Sequence, residues 1–133
     1  HRPLGAIRVW AAALQRMQLE GHVLWSEITQ EMRRSADYAA DGDAGLVSFL
    51  GTADEADIAV VFSELEDGRV DVSMRAVPAY DVSGVALNLG GGGHPQAAGC
   101  TLPGPLSDVR SRVLSLLEEA WRVQAQDDWV QVD

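Results

Sequence analysis

Leu4, Ile7, Ala11, Leu14 and Met17 recur at steps of three and four, with Trp10 on the same side. That spacing predicts an amphipathic helix over residues 5–20, ended by Gly21. The period then shortens. His22 to Ser26 reads as a short strand, Ile28 to Arg34 as a short helix, and residues 35–42 as a loop. Asp43 has the side chain of a helix N-cap, and residues 44–51 follow it with Leu46, Val47 and Leu50 turned inward. Ile58 to Phe62 is continuously apolar, as a buried strand is. Asp67-Gly68 predicts a hairpin closed by a two-residue turn with positive φ at both central positions. Residues 69–75 then alternate, with Val70, Val72 and Met74 toward the core and Arg69, Asp71, Ser73 and Arg75 on the opposite face.

Pro78 ends that strand and Asp81 caps the next helix, in which Val82, Val85, Ala86 and Leu89 share one side. Gly90 is a natural residue for the position after a helix. Ala97 to Leu102 reads as a strand, and Pro103-Gly104-Pro105 as a break before the longest helix. Leu106, Val109, Val113, Leu116, Leu117 and Ala120 define that helix to about Val123. The order of elements predicts an α/β fold, a mixed central sheet of about five strands flanked by helices. One domain is expected over residues 1–125, with a loosely ordered acidic tail over 126–133.

Composition narrows the functional classes. At 133 residues and 47% hydrophobic content the chain is long enough for one core. No apolar run approaches the roughly 20 residues that cross a bilayer, so no membrane partner is expected. No signal-peptide pattern opens the chain, and His1 in place of Met suits a piece of a longer protein. The single cysteine, Cys100, excludes an internal disulfide, fits a cytoplasmic setting, and reads as a small buried hydrophobe. The net charge is −10, with ten arginines and no lysine. Long nucleic acid is held by neutralising its backbone, which calls for a basic surface. A nucleotide ligand is therefore expected in a local pocket that reads one or two phosphates. The run Asp54-Glu55-Ala56-Asp57 reads as solvated acid. His22 reads as a surface strand residue, since no second histidine or carboxylate stands at metal-ligand spacing.

One stretch carries chemistry: Gly90-Gly91-Gly92-Gly93-His94-Pro95-Gln96-Ala97-Ala98-Gly99. Four consecutive glycines are costly to order, so the backbone there must turn sharply or lie close to a ligand. Successive N–H groups of Gly91, Gly92 and Gly93 can form a nest for an anion, and His94 adds a directional donor. Arg75, at the end of a rigid strand, offers a planar fork for phosphate that stays charged at any working pH. Read singly, Arg75 is a surface arginine, His94 a turn-capping histidine and the glycines a linker.

Together with Val72-Ser73-Met74-Arg75, Asp43-Ala44-Gly45-Leu46-Val47 and Trp25-Ser26-Glu27-Ile28-Thr29, the glycine block resembles the DHHA1 domain. This is the C-terminal half of DHH-type phosphoesterases, and the likeness runs from about Leu4 to Leu117. It is nearest to the NrnA-like oligoribonuclease and pAp-phosphatase branch, with the RecJ exonucleases more distant. The resemblance implies a substrate-binding domain in which Arg75, Gly91, Gly92, Gly93, His94 and, more weakly, Ser73 hold substrate phosphate. The substrate would be a short oligonucleotide, pAp or a linear dinucleotide. Ala76 departs from the pattern, since serine often follows the family's arginine. Hydrolysis in the family belongs to a separate N-terminal DHH domain that binds Mn2+ or Mg2+. The Asp-His-His triplet of that domain is absent from this sequence, so no metal is expected in this domain and no activity from it alone. The DHH domain of the same protein is the expected partner. Two readings compete: a dimerisation module using Trp10 and Trp121 between two copies of the chain, and a fragment of a RecJ-type exonuclease, against which the acidic balance argues.

Overall fold

The computed structural model describes residues 2–131, with side chains through residue 126. It contains a six-stranded mixed sheet in the order β1-β2-β3-β4-β6-β5. The strands are β1 (Gln18–Glu20), β2 (Val23–Ile28), β3 (Ile58–Glu64), β4 (Val70–Ala76), β5 (Gly92–His94) and β6 (Ala97–Leu102). Five helices accompany them: α1 (Leu4–Gln15), α2 (Gln30–Ser35), α3 (Leu46–Leu50), α4 (Ser83–Asn88) and α5 (Leu106–Gln131). Only β2 and β3 pair in parallel; every other neighbouring pair is antiparallel. The α/β fold with a mixed sheet is as the sequence pattern predicts. The strands it misses are β1 and β5, three-residue edges too short to show a period. Among the described residues no helix is long and apolar enough to cross a membrane.

Each face of the sheet has its own core. Val23, Trp25, Val60, Phe62, Val72, Met74, Cys100 and Leu102 point toward α4 and α5, where Val82, Ala86, Val113 and Leu117 meet them. On the other face α1 and α3 cover β2 and β3, through Val9, Ala13, Leu46, Val47 and Leu50 packed on Leu24, Ile28, Ala59 and Val61. Helix α3 also reaches the Arg75 end of β4, where Ser48 and Gly51 border it, and among the described residues no helix packs on that face of β6 and β5. The alternation along β4 follows directly: Val70, Val72 and Met74 are buried, while Asp71, Ser73 and Arg75 are half-exposed on the opposite side.

Several local expectations are corrected. The first helix stops at Gln15, and Gln18–Glu20 is a strand that turns through Gly21 (φ +60) into β2. Met17 and Leu19 are about half exposed, so the apolar match that extended the helix had no core to meet. Nor do Leu4 and Ile7 face inward. The buried line on α1 is Ala6, Val9 and Ala13, small residues that let the helix lie close to β2. Asp43 accepts from the amides of Gly45 and Val47 at 2.9 Å each, so it caps α3 from two residues before Gly45. At the Asp67-Gly68 hairpin only Gly68 has positive φ (+90), and its amide bonds Leu65 at 3.0 Å. This is a turn closed by a single left-handed glycine instead of the two-residue form. Helix α5 continues past Val123 to Gln131, through most of the expected tail; Val132 and Asp133 lie outside the described residues.

Two polar clusters fasten the helices. Glu27, on the α5 side of β2, is 7% exposed and lies between Arg16 (2.8 Å) and Arg110 (2.7 Å). Removing one member of such a cluster leaves buried charge unpaired. Both arginines are partly solvated, which softens the cost. Glu27→Ala is expected to lower stability by about 2 kcal/mol in urea unfolding, with Arg110→Ala costing less. At the far end, Asp57 accepts from Trp121 Nε1 at 2.8 Å and lies 3.3 Å from His22 Nδ1, and the His22 ring stacks on Trp121 at 4.0 Å. Asp57 is thus a partnered anchor for α5, where the sequence suggested free surface acid. Trp10 donates to the Ala44 carbonyl at 3.2 Å, so both tryptophans are engaged within the fold.

Candidate functional site

The glycine stretch is a hairpin built onto the sheet edge. Helix α4 ends in a Schellman turn: the Gly90 amide bonds Leu87 at 3.0 Å, the Gly91 amide bonds Ala86 at 2.8 Å, and Gly90 has φ +87. The chain then runs as β5, turns through Pro95-Gln96, and returns as β6, with Gly92 opposite Gly99, Gly93 opposite Ala98 and His94 opposite Ala97. The Pro95 and Gln96 carbonyls accept from Val82 (2.8 Å) and Ala76 (3.1 Å), which ties the hairpin tip to α4 and to the end of β4. The nest read from the sequence is narrowed by these bonds. The Gly91 amide already has a partner, and Gly92 to His94 are strand residues.

The four glycines answer different needs. A Cβ on Gly91 would lie 2.1 Å from the Gly99 carbonyl oxygen and 2.6 Å from Cys100 Cβ. One on Gly93, at φ +141, would meet the Ala97 oxygen at 2.6 Å, and one on Gly99 would meet the Val72 oxygen at 2.7 Å. These residues are glycine because β5, β6 and β4 pack tightly. Gly92 is the exception. Its φ is not in the left-handed range, and a Cβ there would meet nothing within 4 Å.

The sheet register brings the candidate residues together. Arg75 pairs with Ala97, and Ala97 pairs with His94, so the three form one row across β4, β6 and β5. Paired residues project to the same side, and two strand spacings separate Arg75 from His94 by about 10 Å at Cα. The next row is Ser73, Gly99 and Gly92. Arg75, Ser73 and His94 thus surround a floor of Ala97, Gly99 and Gly92 on one face of the sheet. His94 is exposed and Arg75 half-exposed. The Arg75 guanidinium donates to its own strand at the Met74 carbonyl (3.2 Å) and opens onto a pocket of about 190 Å³ beside Gly51, Thr52 and Asp57. Among the described residues no carboxylate pairs with it. A larger groove between α1 and α2 also contains arginines, but Arg16 there is already held by Glu27.

One further residue on this face escaped the sequence reading. Asp71 stands on β4 beside Thr101, in the row after Ser73. Burial pushes its carboxyl above the usual carboxylate range, and the Asp43 charge adds to the shift. A group whose folded pKa is raised weakens the fold once pH climbs above its unfolded value near 3.8 and on through the folded value. Asp71→Asn is therefore expected to raise the melting temperature at pH 7, with the gain disappearing below about pH 4. Alternation along β4 marked Asp71 as outward-facing; its desolvation comes from packing that sequence spacing does not show. On the opposite face, burial pushes the Cys100 thiol up to about 11, which keeps it protonated and unreactive. Among the described residues no group of three or more histidine, cysteine, aspartate or glutamate side chains is placed to hold a metal ion.

Residues 24–123 match the DHHA1 domain family. The chain is 34% identical over 95 residues to the bifunctional oligoribonuclease and PAP phosphatase NrnA of Thermus thermophilus, a match covering 69% of this chain and 28% of that protein. An exopolyphosphatase-related protein from Bacteroides fragilis has a similar fold, with TM-score 0.78 at 19% identity over 95% of this chain and 37% of its own. The pGpG-specific phosphodiesterase PggH of Vibrio cholerae does too, with TM-score 0.59 at 12% identity over 87% of this chain and 38% of its own. The chain spans well under half the length of each. Residues 24–123 take in both the glycine hairpin and the Ser73–Arg75 strand, and the chain belongs to the DHHA1 domain family.

Proposed function

We propose that this chain is the substrate-holding domain of a DHH-type phosphoesterase that hydrolyses short oligoribonucleotides, pAp or linear dinucleotides. The observation that carries this reading is the Arg75–Ala97–His94 row, which sets a cation with no carboxylate partner among the described residues and an exposed imidazole on one face of an otherwise acidic protein. Arg75 grips a terminal phosphate through two parallel N–H bonds, and His94 donates from the other side. Ser73 contributes a hydroxyl from the neighbouring row. Gly92 and Gly93 let the phosphate approach the backbone, with Gly91 shaping the hairpin. The empty volume above Gly92 supports this, because nothing in the fold itself requires a glycine there.

Bond cleavage requires groups this domain does not supply. Two-metal hydrolysis draws on converging carboxylates and imidazoles, and in this reading a DHH domain of the same protein provides them with Mn2+ or Mg2+. The DHHA1 domain positions the substrate and the partner domain attacks the adjacent phosphoester, in the cytoplasm. Titration of the chain with a 5′-phosphorylated diribonucleotide is expected to give saturable binding weakened by added salt, with the unphosphorylated dinucleotide at least about tenfold weaker. Equal binding of the two, or none at millimolar ligand to a folded sample, overturns the reading.

A further inference from the structure

The open shelf does not end at Ser73. Asp71 projects from the same face four residues before Arg75, about 13 Å away along an extended strand. Its Oδ2 lies 3.5 Å from Ser73 Oγ and its Oδ1 3.5 Å from Thr101 Oγ1. Good hydroxyl bonds are much shorter, so both oxygens keep most of their accepting capacity. Among the described residues no cation pairs with Asp71. Arg33 is near enough to act on it electrostatically, but its Nη1 and Nη2 donate to the carbonyls of Ala40 and Gly42 and it makes no ion pair with Asp71. Asp43 adds a second negative charge, with its own oxygens on the Gly45 and Val47 amides.

The two ends of the shelf therefore have opposite chemistry. The Arg75–His94 end attracts phosphate; the Asp71 end repels it and accepts hydrogen bonds. We infer that Asp71 is a specificity-determining residue that accepts two adjacent N–H donors from a nucleobase, the pattern on the Watson–Crick edge of guanine. A nucleotide then lies along β4 with its phosphate at Arg75, its sugar over Gly99 and Gly92, and its base edge at Asp71. The separation favours base over sugar, because ribose hydroxyls lie closer to their own phosphate than the far edge of a purine does. A carboxylate has two oxygens side by side for two adjacent donors. The amino edges of adenine and cytosine and the single imino group of uracil fill only one.

The inference rests on the phosphate site proposed above, and calorimetric titration of the folded chain separates the two. The ligands are guanosine 5′-monophosphate, its 2′-deoxy form, uridine 5′-monophosphate and ribose 5-phosphate. The wild-type chain is expected to prefer the guanosine over the uridine nucleotide by about tenfold, with ribose and deoxyribose forms alike. Asp71→Asn should remove that preference and leave ribose 5-phosphate binding unchanged; Asp71→Ala repeats the test if the Asn variant melts early. Unchanged guanosine affinity in both variants overturns the inference, as does a parallel loss of ribose 5-phosphate. A loss confined to the ribose form makes Asp71 a sugar reader and overturns the base assignment. Ribose 5-phosphate binding that survives Arg75→Ala, or no binding of any ligand by the wild type, overturns the phosphate site itself.

Discussion

Arg75→Ala is expected to weaken binding of a 5′-phosphorylated diribonucleotide by about 10- to 100-fold while leaving the melting temperature within about 1 °C. The two halves of this expectation have separate causes. A guanidinium–phosphate pair is a charge-assisted, two-pronged hydrogen bond, and its loss costs roughly 1.5–3 kcal/mol. Within the fold the Arg75 head group makes one hydrogen bond, to the adjacent Met74 carbonyl, and its strand is held by Val72 and Met74 on the opposite face. Arg75→Lys keeps the charge but loses the fork, so it should recover only part of the affinity. His94→Ala should cost less than Arg75→Ala, because the imidazole offers one N–H where the guanidinium offers a charged, two-pronged fork. A substantial fall in melting temperature with Arg75→Ala would mean that the side chain holds the fold, and the phosphate reading would lose its main residue.

This division between fold and site also explains what was legible in the chain. Ile58 to Phe62 and the alternation through Met74 showed both the central strands and the outward face of Arg75, because buried strands write their environment into every residue. The glycine–histidine stretch stood out as a place where the backbone turns sharply, yet what each of its glycines does was only partly readable. Glycines in a row look alike in a sequence. One of these ends a helix, one accommodates the Gly99 carbonyl and Cys100, one sits at φ +141, and one faces open space. That Arg75 and His94 should converge was an expectation of the sequence, but the register that joins them through Ala97 was not legible, since it depends on β6 lying between β4 and β5. Asp71 shows the same limit: strand parity gives the side it faces, whereas the absence of an ion pair to it among the described residues depends on contacts far along the chain, such as those of Arg33 with Ala40 and Gly42.

The differing roles of the glycines lead to the sharpest expected result, a comparison of alanine at Gly91, Gly92 and Gly93. Gly91→Ala would place a methyl group 2.1 Å from a backbone oxygen and 2.6 Å from Cys100 Cβ, neither of which can move without separating β5 from β6. It is expected to destabilise the domain by about 3 kcal/mol or more. Gly93→Ala adds left-handed strain at φ +141 to contacts of 2.6 Å with Ala97 and Ala98, and should cost about as much. Gly92→Ala has no such cost. Alanine is easier than glycine to hold in a strand, so stability should be unchanged or rise by up to about 1 kcal/mol. Yet the added methyl would stand on the floor between Gly99 and His94, where the proposed site would bring the phosphate and sugar closest to the backbone. Gly92→Ala should therefore weaken nucleotide binding by about tenfold or more in a protein that melts no earlier than the wild type. Melting curves and titrations on the three variants separate the roles: early melting at Gly91 and Gly93 marks packing, and intact melting with lost affinity at Gly92 marks the ligand's place. Gly92→Ala binding nucleotide as the wild type does would move the substrate off this floor and leave the hairpin a purely structural edge.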